Sequence, residues 1–408
     1  MSQAEVNQHP LVKNERVLIL ILTMIQFSHI LDFVIMMPLG PQLMRIFNIT
    51  TSQFSFMVSA YTFAASICGF LSAFFIDRFD RKTSLNIIYT GFILGTLVCA
   101  FAPNYWVLIL GRVVAGSFGG IIGGLVFSIV GDTIPFSRRG TATGKIMSAF
   151  SIASVIGVPI GLQVATMFNW HAPFLLLAGV SAIFLVLSIL YIPSMKGHLE
   201  NAPQKDTSNF DEVMNVFKVK NHLWAFLLIT ILMFGSFSVI PFISPVMVFN
   251  AGLAESDLTY IYLVGGIFTF FSARYVGKLS DRYGKARLFT IMAVLSVIPL
   301  TFLTHIPKVS FVLGISTTTL FMMFTSARFI PAMAMITATS STQMRGRFMS
   351  INSCVQQMAS GLASFIAGLI ITHGENHRIL NYDIVGFIGV GAVICSLFII
   401  KKIDVLET

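Results

Sequence analysis

Apolar residues along this chain gather in long runs, and polar or charged residues gather in short breaks between them. Twelve runs stand out, near 17–43, 53–76, 86–102, 106–134, 146–168, 172–193, 222–249, 258–277, 286–304, 309–338, 348–371 and 383–400. The breaks carry turn chemistry or charge, as at Pro103-Asn104, Ser137-Arg138-Arg139-Gly140 and Asn169-Trp170-His171. The runs are long and do not alternate apolar with polar positions, so helices are predicted rather than strands. A helix rises about 1.5 Å per residue, so roughly 20 apolar residues cross a hydrocarbon core. Twelve membrane-spanning helices are therefore expected. The longest polar stretch, from about Ser194 to Asn221, divides them six and six. The expected organisation is a first half over 1–193, a linker over 194–221 and a second half over 222–408.

Composition narrows the class. Of 408 residues, 55% are apolar and only 11% charged, with a mean hydropathy of +0.84. Soluble domains carry roughly 25% charged residues, and a water-facing shell cannot be built from so few. A soluble enzyme, a disordered chain and a secreted disulfide scaffold are excluded. Cys68, Cys99, Cys354 and Cys395 sit in apolar runs without C-x-x-C spacing, which argues against metal sites and disulfides.

A net charge of +9 suggests nucleic acid until its placement is read. With the N-terminus inside, 21 of the 26 Lys and Arg fall on the cytoplasmic side and only Arg45, Lys308 and Arg378 on the other. Such a bias orients membrane proteins. Both termini are expected in the cytoplasm of a bacterial-type inner membrane, with the lipid bilayer and not nucleic acid as partner. The N-terminus lacks a signal-peptide pattern, so the first run is expected to remain in the membrane.

The two halves repeat weakly. Asp77-Arg78-Phe79 recurs as Asp281-Arg282-Tyr283 and Pro41 as Pro245, both 204 residues on, and Arg139-Gly140 recurs as Arg345-Gly346 at an offset of 206. Parallel six-helix repeats mark transporters that rock about a central site. The motifs agree. Residues 73–82, with Asp77-Arg78, Arg81 and Lys82, resemble the G-x-L-a-D-R-x-G-R-[KR] signature of the major facilitator superfamily, with Ala73 and Asp80 replacing its glycines. The copy at 277–285 keeps both, as Gly277 and Gly284. Gly111-Arg112-Val113-Val114-Ala115-Gly116 resembles the family's R-x-x-x-G. Gly157-Val158-Pro159-Ile160-Gly161, then Trp170-His171-Ala172-Pro173-Phe174, resemble the arabinose-efflux-permease-like drug:proton antiporters, with His171 where Arg is usual. Ala327 to Pro331, Arg345-Gly346 and Gln356-Gln357 are similar to that subgroup too. The resemblance implies an all-α membrane protein of twelve helices in two pseudo-symmetric halves. It also implies a small-molecule substrate exchanged against protons. No cofactor is expected, and the chain is expected to act as a monomer.

Three ionisable residues stand well inside the runs: Asp32, Arg112 and Arg328. A charge in hydrocarbon is costly, so each is a functional candidate. Asp32 lies about eight residues before the outer end of its run and Arg112 about eight after the start of its own, so both sit ~12 Å deep. Matching depths allow a pair if the two helices are neighbours, as the resemblance implies. Burial favours a protonated carboxyl and a nearby guanidinium an ionised one, and a carboxyl held between the two can trade a proton as water access changes. Asp32 is the expected proton-coupling acid and Arg112 its modulator; a static pair that fixes packing is the alternative. Gln26, His29 and Asp32 share one broad helical face that can line a cavity. His29 can share the proton or hydrogen-bond to a neighbouring helix. Arg328, three residues before Pro331, can meet an anionic substrate group, balance the pair of the other half, or cap carbonyls freed by the proline.

By the resemblance, Asp77, Arg78, Arg81, Asp281 and Arg282 are gating residues. The acid would meet a helix N-terminus and a neighbouring arginine across the halves and latch the outward-facing state. A plain solvated basic loop is the alternative. Gly157, Pro159 and Gly161 interrupt the fifth run, by the resemblance as a bend and seal that favour antiport, or else simply as a packing notch. The Gly119-Gly120 and Gly123-Gly124 steps fit close helix packing. No Walker, H-E-x-x-H or G-x-S-x-G motif occurs, so no enzyme is expected. The expected function is a proton-coupled exporter of small amphipathic or sugar-like compounds, working by alternating access. A proton-coupled uptake symporter for a polar metabolite is the alternative. A non-transporting receptor or scaffold is a third reading.

Overall fold

In hydrocarbon a lone segment must satisfy its own backbone groups, so each apolar run folds as a helix. The computed structural model describes residues 15–196, 209–341, 344–374 and 378–404, without the side chains of 77, 136, 137 and 209–212. Helices 1 to 6 are Glu15–Ile35, Thr51–Ser72, Arg81–Ala100, Tyr105–Thr133, a broken helix from Phe136 to Met167, and Ala172–Tyr191. Helices 7 to 12 are Lys220–Phe237, Asp257–Tyr283, Lys285–Thr304, Phe311–Thr337, Arg345–Ile370 and Tyr382–Ile399. Among the described residues, eleven spans are long and apolar enough to cross a membrane by length and composition. Helix 8 is the remaining one. It contains the expected run 258–277 but continues through Lys278, Asp281 and Arg282.

Several expected boundaries move for local reasons. The first run breaks after Ile35, where Pro38 and Pro41 intervene, and resumes as the short helix Gly40–Ile46. The seventh run repeats this at Pro241, giving the turn Ile240–Phe242 and the helix Ile243–Phe249. Ser137–Gly140, expected as a break, instead forms the first turns of helix 5. The linker contains a helix, Asn209–Lys218, that the polar composition did not suggest. Residues 197–208 of the linker lie outside the described residues.

Side-chain oxygens close the helix starts. Thr50 and Gln53 form a capping box on helix 2, and Asn104 accepts from the Val107 N–H at 3.1 Å on helix 4. Helix 4 then presses against its neighbours through glycine. A Cβ at Gly116 or Gly120 would land on the backbone of Tyr61 or Ala65 in helix 2, and one at Gly95 on the backbone of Ala115. Gly123 and Gly124 do not share this role. Both face open space, which corrects the expectation of close packing there.

The halves meet along helices 2 and 11 and along helices 5 and 8. Thr51, Ser52, Ser59 and Ser66 donate hydroxyl hydrogens to the carbonyls of Ile371, Gly368, Gly361 and Cys354, at 2.6, 2.6, 3.0 and 2.8 Å. A Cβ on Gly266 of helix 8 would stand 2.9 Å from the Ser154 carbonyl of helix 5. At the end opposite the basic loops, the repeat-related helices Gly40–Ile46 and Ile243–Phe249 touch. Phe54 meets Phe242 edge-on with centroids 6.1 Å apart, and Arg45 pairs with Glu255. The halves are closed on each other at this far end.

Candidate functional site

Asp32 lies one turn before the end of helix 1, and helix 4 brings Arg112 to the same level. The Arg112 Nη1 donates to Asp32 Oδ2 at 2.7 Å and to the Asp32 carbonyl at 3.0 Å. Thr96 of helix 3 donates to Asp32 Oδ1 at 3.2 Å. Asp32, Arg112 and Thr96 are all 0% exposed. The pair expected from matching depth is therefore formed and dry. On its other side the guanidinium lies over the Tyr61 ring, 4.3 Å from the centroid.

Unused hydrogen-bonding atoms lie beside this pair and along the same face of helix 1. Among the described residues, Arg112 Nε and Nη2, Gln26 Oε1, both ring nitrogens of His29 and the Tyr61 hydroxyl have no hydrogen-bond partner. His29 packs between the Tyr61 and Phe92 rings, at 6.3 Å from each, where glycine at 119 leaves room for it. The alternative of a histidine hydrogen-bonded to a neighbouring helix finds no partner there. A buried cluster with this much unused capacity suits water or a polar group carried through the site.

Arg328 occupies the corresponding place in the second half. Its guanidinium donates to Ser296 of helix 9 and Ser236 of helix 7, each at 3.1 Å. Helices 7, 9 and 10 thus repeat the constellation of helices 1, 3 and 4, with Ser236 at the 204-residue offset from Asp32. The carboxylate is missing from this copy. The hydrogen bonds run to hydroxyls and not to carbonyls freed by Pro331, which removes the capping alternative.

The residues expected to form a latch lie at the basic end. Arg81 is buried, and its Nε meets Asp132 Oδ2 at 2.8 Å, a contact within the first half. Arg78, Asp281 and Arg282 are exposed, and Arg282 lies over the neighbouring Tyr283 ring. Asp77 sits in the turn Ile76–Arg78, and its side chain lies outside the described residues. Asp80, which replaces a motif glycine, caps helix 3. It accepts from the Thr83 N–H and hydroxyl at 3.1 and 2.9 Å, the Met195 N–H at 2.6 Å and the Ser194 hydroxyl at 3.2 Å. Partial burial pushes its pKa up, but these bonds together outweigh it and hold the carboxyl below the usual aspartate range. Gly284 takes that place in the second half, at φ +90°, and helix 9 has no side-chain cap.

Helix 5 passes beside the pair. A Cβ on Gly157 or Gly161 would stand 2.9 Å from Leu31 or 2.7 Å from Ile35 of helix 1. Pro159 cannot donate to the preceding turn. The helix widens there into a π turn, Ala153–Gly157, in which the Val158 N–H reaches the Ala153 carbonyl.

Thr96, Tyr61, Asp132 and the Arg45–Glu255 pair are absent from the sequence reading. Asp132 carries a signal of its own, as an acid at the basic end of a span. The hydroxyls of Thr96 and Tyr61 look like many others in apolar runs.

Comparison with known proteins agrees with this architecture. The Major Facilitator Superfamily model matches residues 22–326 and 275–404. The uncharacterized MFS-type transporter YwfA of Bacillus subtilis (strain 168) is 27% identical over 403 residues, covering 96% of this chain and 93% of that protein. A probable sugar efflux transporter of Pasteurella multocida (strain Pm70) is 24% identical over 54% of this chain and 53% of its own length. In fold the chain matches a crystal structure of a D-xylose–proton symporter with a TM-score of 0.77, at 16% identity, over 93% of this chain and 96% of that one. It matches the nucleoside transporter NupG at 0.71, with 13% identity, over 95% and 99%. A family model that spans both halves, over helices that close around a buried ion pair, identifies this chain as a multi-pass transporter, and not an enzyme, of the Major Facilitator Superfamily.

Proposed function

We propose that this chain is a proton-coupled exporter of small amphipathic or sugar-like compounds in a bacterial-type inner membrane, with both termini cytoplasmic. Asp32 carries the proton and Arg112 modulates it. The observation that carries the reading is the dry Asp32–Arg112 pair with its shell of unpartnered Gln26, His29 and Tyr61 atoms. Ions are rarely kept in a membrane interior without such work. Gln26 and His29 face the substrate path, and Arg328 gives the second half a cationic anchor. Closure at the far end, with Gly123 and Gly124 facing open space, corresponds to an inward-facing state. Asp77, Arg78, Arg81, Asp281 and Arg282 then regulate reclosure of the basic end. Gly157, Pro159 and Gly161 bend and seal helix 5 against helix 1. Export is favoured by two distant relatives named as probable sugar efflux transporters.

The test uses proteoliposomes loaded with a pH-sensitive dye and challenged with a panel of pentoses and amphipathic amines. The parent should move protons against at least one compound. Asp32→Asn should keep compound-for-compound exchange and lose the proton flux. Full proton-coupled transport by Asp32→Asn would overturn the assignment.

A further inference from the structure

Tyr61 touches the ion pair on one side and leads to the junction of the two halves on the other. Its ring carries the Arg112 guanidinium at 4.3 Å and stacks on Phe33 with centroids 5.5 Å apart and planes at 26°. Phe33 in turn stacks on Phe237 at 5.8 Å and 27°. Phe33 and Phe237 are 204 residues apart, the offset of the repeat. Repeat-related residues in contact with each other lie on the pseudo-two-fold axis, so this stack sits at the junction of the halves. Phe33 is also the one partly buried residue packed against both the apolar core of the first half and the core shared between the halves, among the described residues. Tyr61 itself is 0% exposed, and its backbone is wedged against Gly116.

Resting on the proton-coupled reading above, we propose that Tyr61 is the positioning residue that converts the charge state of Asp32 into movement of the halves. While Asp32 is ionised, its carboxylate holds the guanidinium at 2.7 Å. Protonation removes most of that attraction. The Asp32 carbonyl, 3.0 Å from Nη1, and the ring face of Tyr61 are then the remaining partners of a cation whose Nε and Nη2 have no hydrogen bonds among the described residues. A guanidinium that shifts over the ring presses it toward Phe33, and Phe33 presses on Phe237. The stack of Phe33 on Phe237 is the two-state element: it exists with the halves together at the axis and is lost when they part there. The ring does this work and not the hydroxyl, which has no partner and lies against Gly119.

Full-length protein in nanodiscs, spin-labelled at exposed Thr141 and Lys278 after replacement of the native cysteines, reports the separation of the basic ends by pulsed EPR. The parent ratio of open to closed populations should change about tenfold between pH 5.5 and 8.5, within the usual range of coupling. Tyr61→Phe keeps the ring and should keep most of the pH-dependent change in this ratio, whatever the lost hydroxyl does to compound exchange. Tyr61→Leu should populate both states with a ratio that changes less than about twofold. Phe33→Leu breaks the same chain without touching the buried ring and should be equally flat, which keeps the test open if Tyr61→Leu misfolds. Parental responses from both leucine variants, with Asp32→Asn flat, overturn the role of Tyr61 and leave the proton reading standing. An undiminished response from Asp32→Asn overturns the proton reading itself.

Discussion

Ser236 stands in helix 7 where Asp32 stands in helix 1, and it receives the guanidinium of Arg328 at 3.1 Å much as Asp32 receives that of Arg112 at 2.7 Å. One half holds a neutral pair, and the other holds a cation among hydroxyls. On the proposed reading, proton chemistry is concentrated in the first half. Ser236→Ala would strip an acceptor from a buried charge and should cost about 1–3 kcal/mol. Ser236→Asp supplies the missing counter-charge and should unfold no lower than the parent at pH 7.5. Thermal unfolding in detergent decides it. A Ser236→Ala midpoint equal to that of the parent would mean that Arg328 is satisfied elsewhere.

The Arg45–Glu255 pair joins the halves at the far end. It is partly exposed, so its worth is below about 1 kcal/mol and salt weakens it. Glu255→Gln should raise reagent access to the far side of the chamber by a few-fold at low ionic strength. The charge swap Arg45→Glu with Glu255→Arg should restore closure. Labelling rates that ignore both salt and swap would remove the pair from the gate.

Gly120 and Gly124 lie one turn apart in helix 4, with opposite surroundings. A methyl at Gly120 strikes the Ala65 backbone, whereas one at Gly124 meets nothing within 4 Å. Overpacking costs about 1–3 kcal/mol. Gly120→Ala should therefore unfold several degrees lower than the parent, and Gly124→Ala within a degree or two of it or slightly higher, since alanine favours helix. Unfolding followed by size-exclusion chromatography is sufficient to rank them.

Asp80 gives a pH signature. Its carboxyl titrates below the ordinary aspartate value of about 3.9. The stability it adds is present above that value and is lost as pH falls through the lower, folded one. Asp80→Ala should destabilise the protein at pH 7 by an amount typical of a lost helix cap, ~1 kcal/mol, read as a lower unfolding midpoint. The difference from the parent should shrink at pH 3. A difference that persists unchanged at pH 3 would point to sterics in place of charge.

Much of the fold was readable because a membrane imposes one length and one backbone solution on every span. The Asp32–Arg112 pair was readable because depth along a helix is simple arithmetic and the family resemblance implies that helices 1 and 4 are neighbours. Tyr61 was not, because its part depends on which ring lies beneath which cation across helices 1, 2 and 4. The π turn at Ala153–Gly157 escaped because Pro159 signals a disturbed helix without saying how the lost bond is absorbed. The loop contacts escaped for a different reason. Asp80 looked like a damaged motif position, and only the positions of Thr83 and Met195 reveal it as a cap.

The seam between helices 2 and 11 is stitched by serine and threonine hydroxyls onto carbonyl oxygens, those of Cys354 and Gly361 inside helix 11 and those of Gly368 and Ile371 at its end. A carbonyl has a second lone pair to offer, so each stitch can come undone without unravelling either rod. The seam thus behaves like a zip fastener: many small teeth, each cheap to release, between two stiff edges that survive every cycle of parting and rejoining.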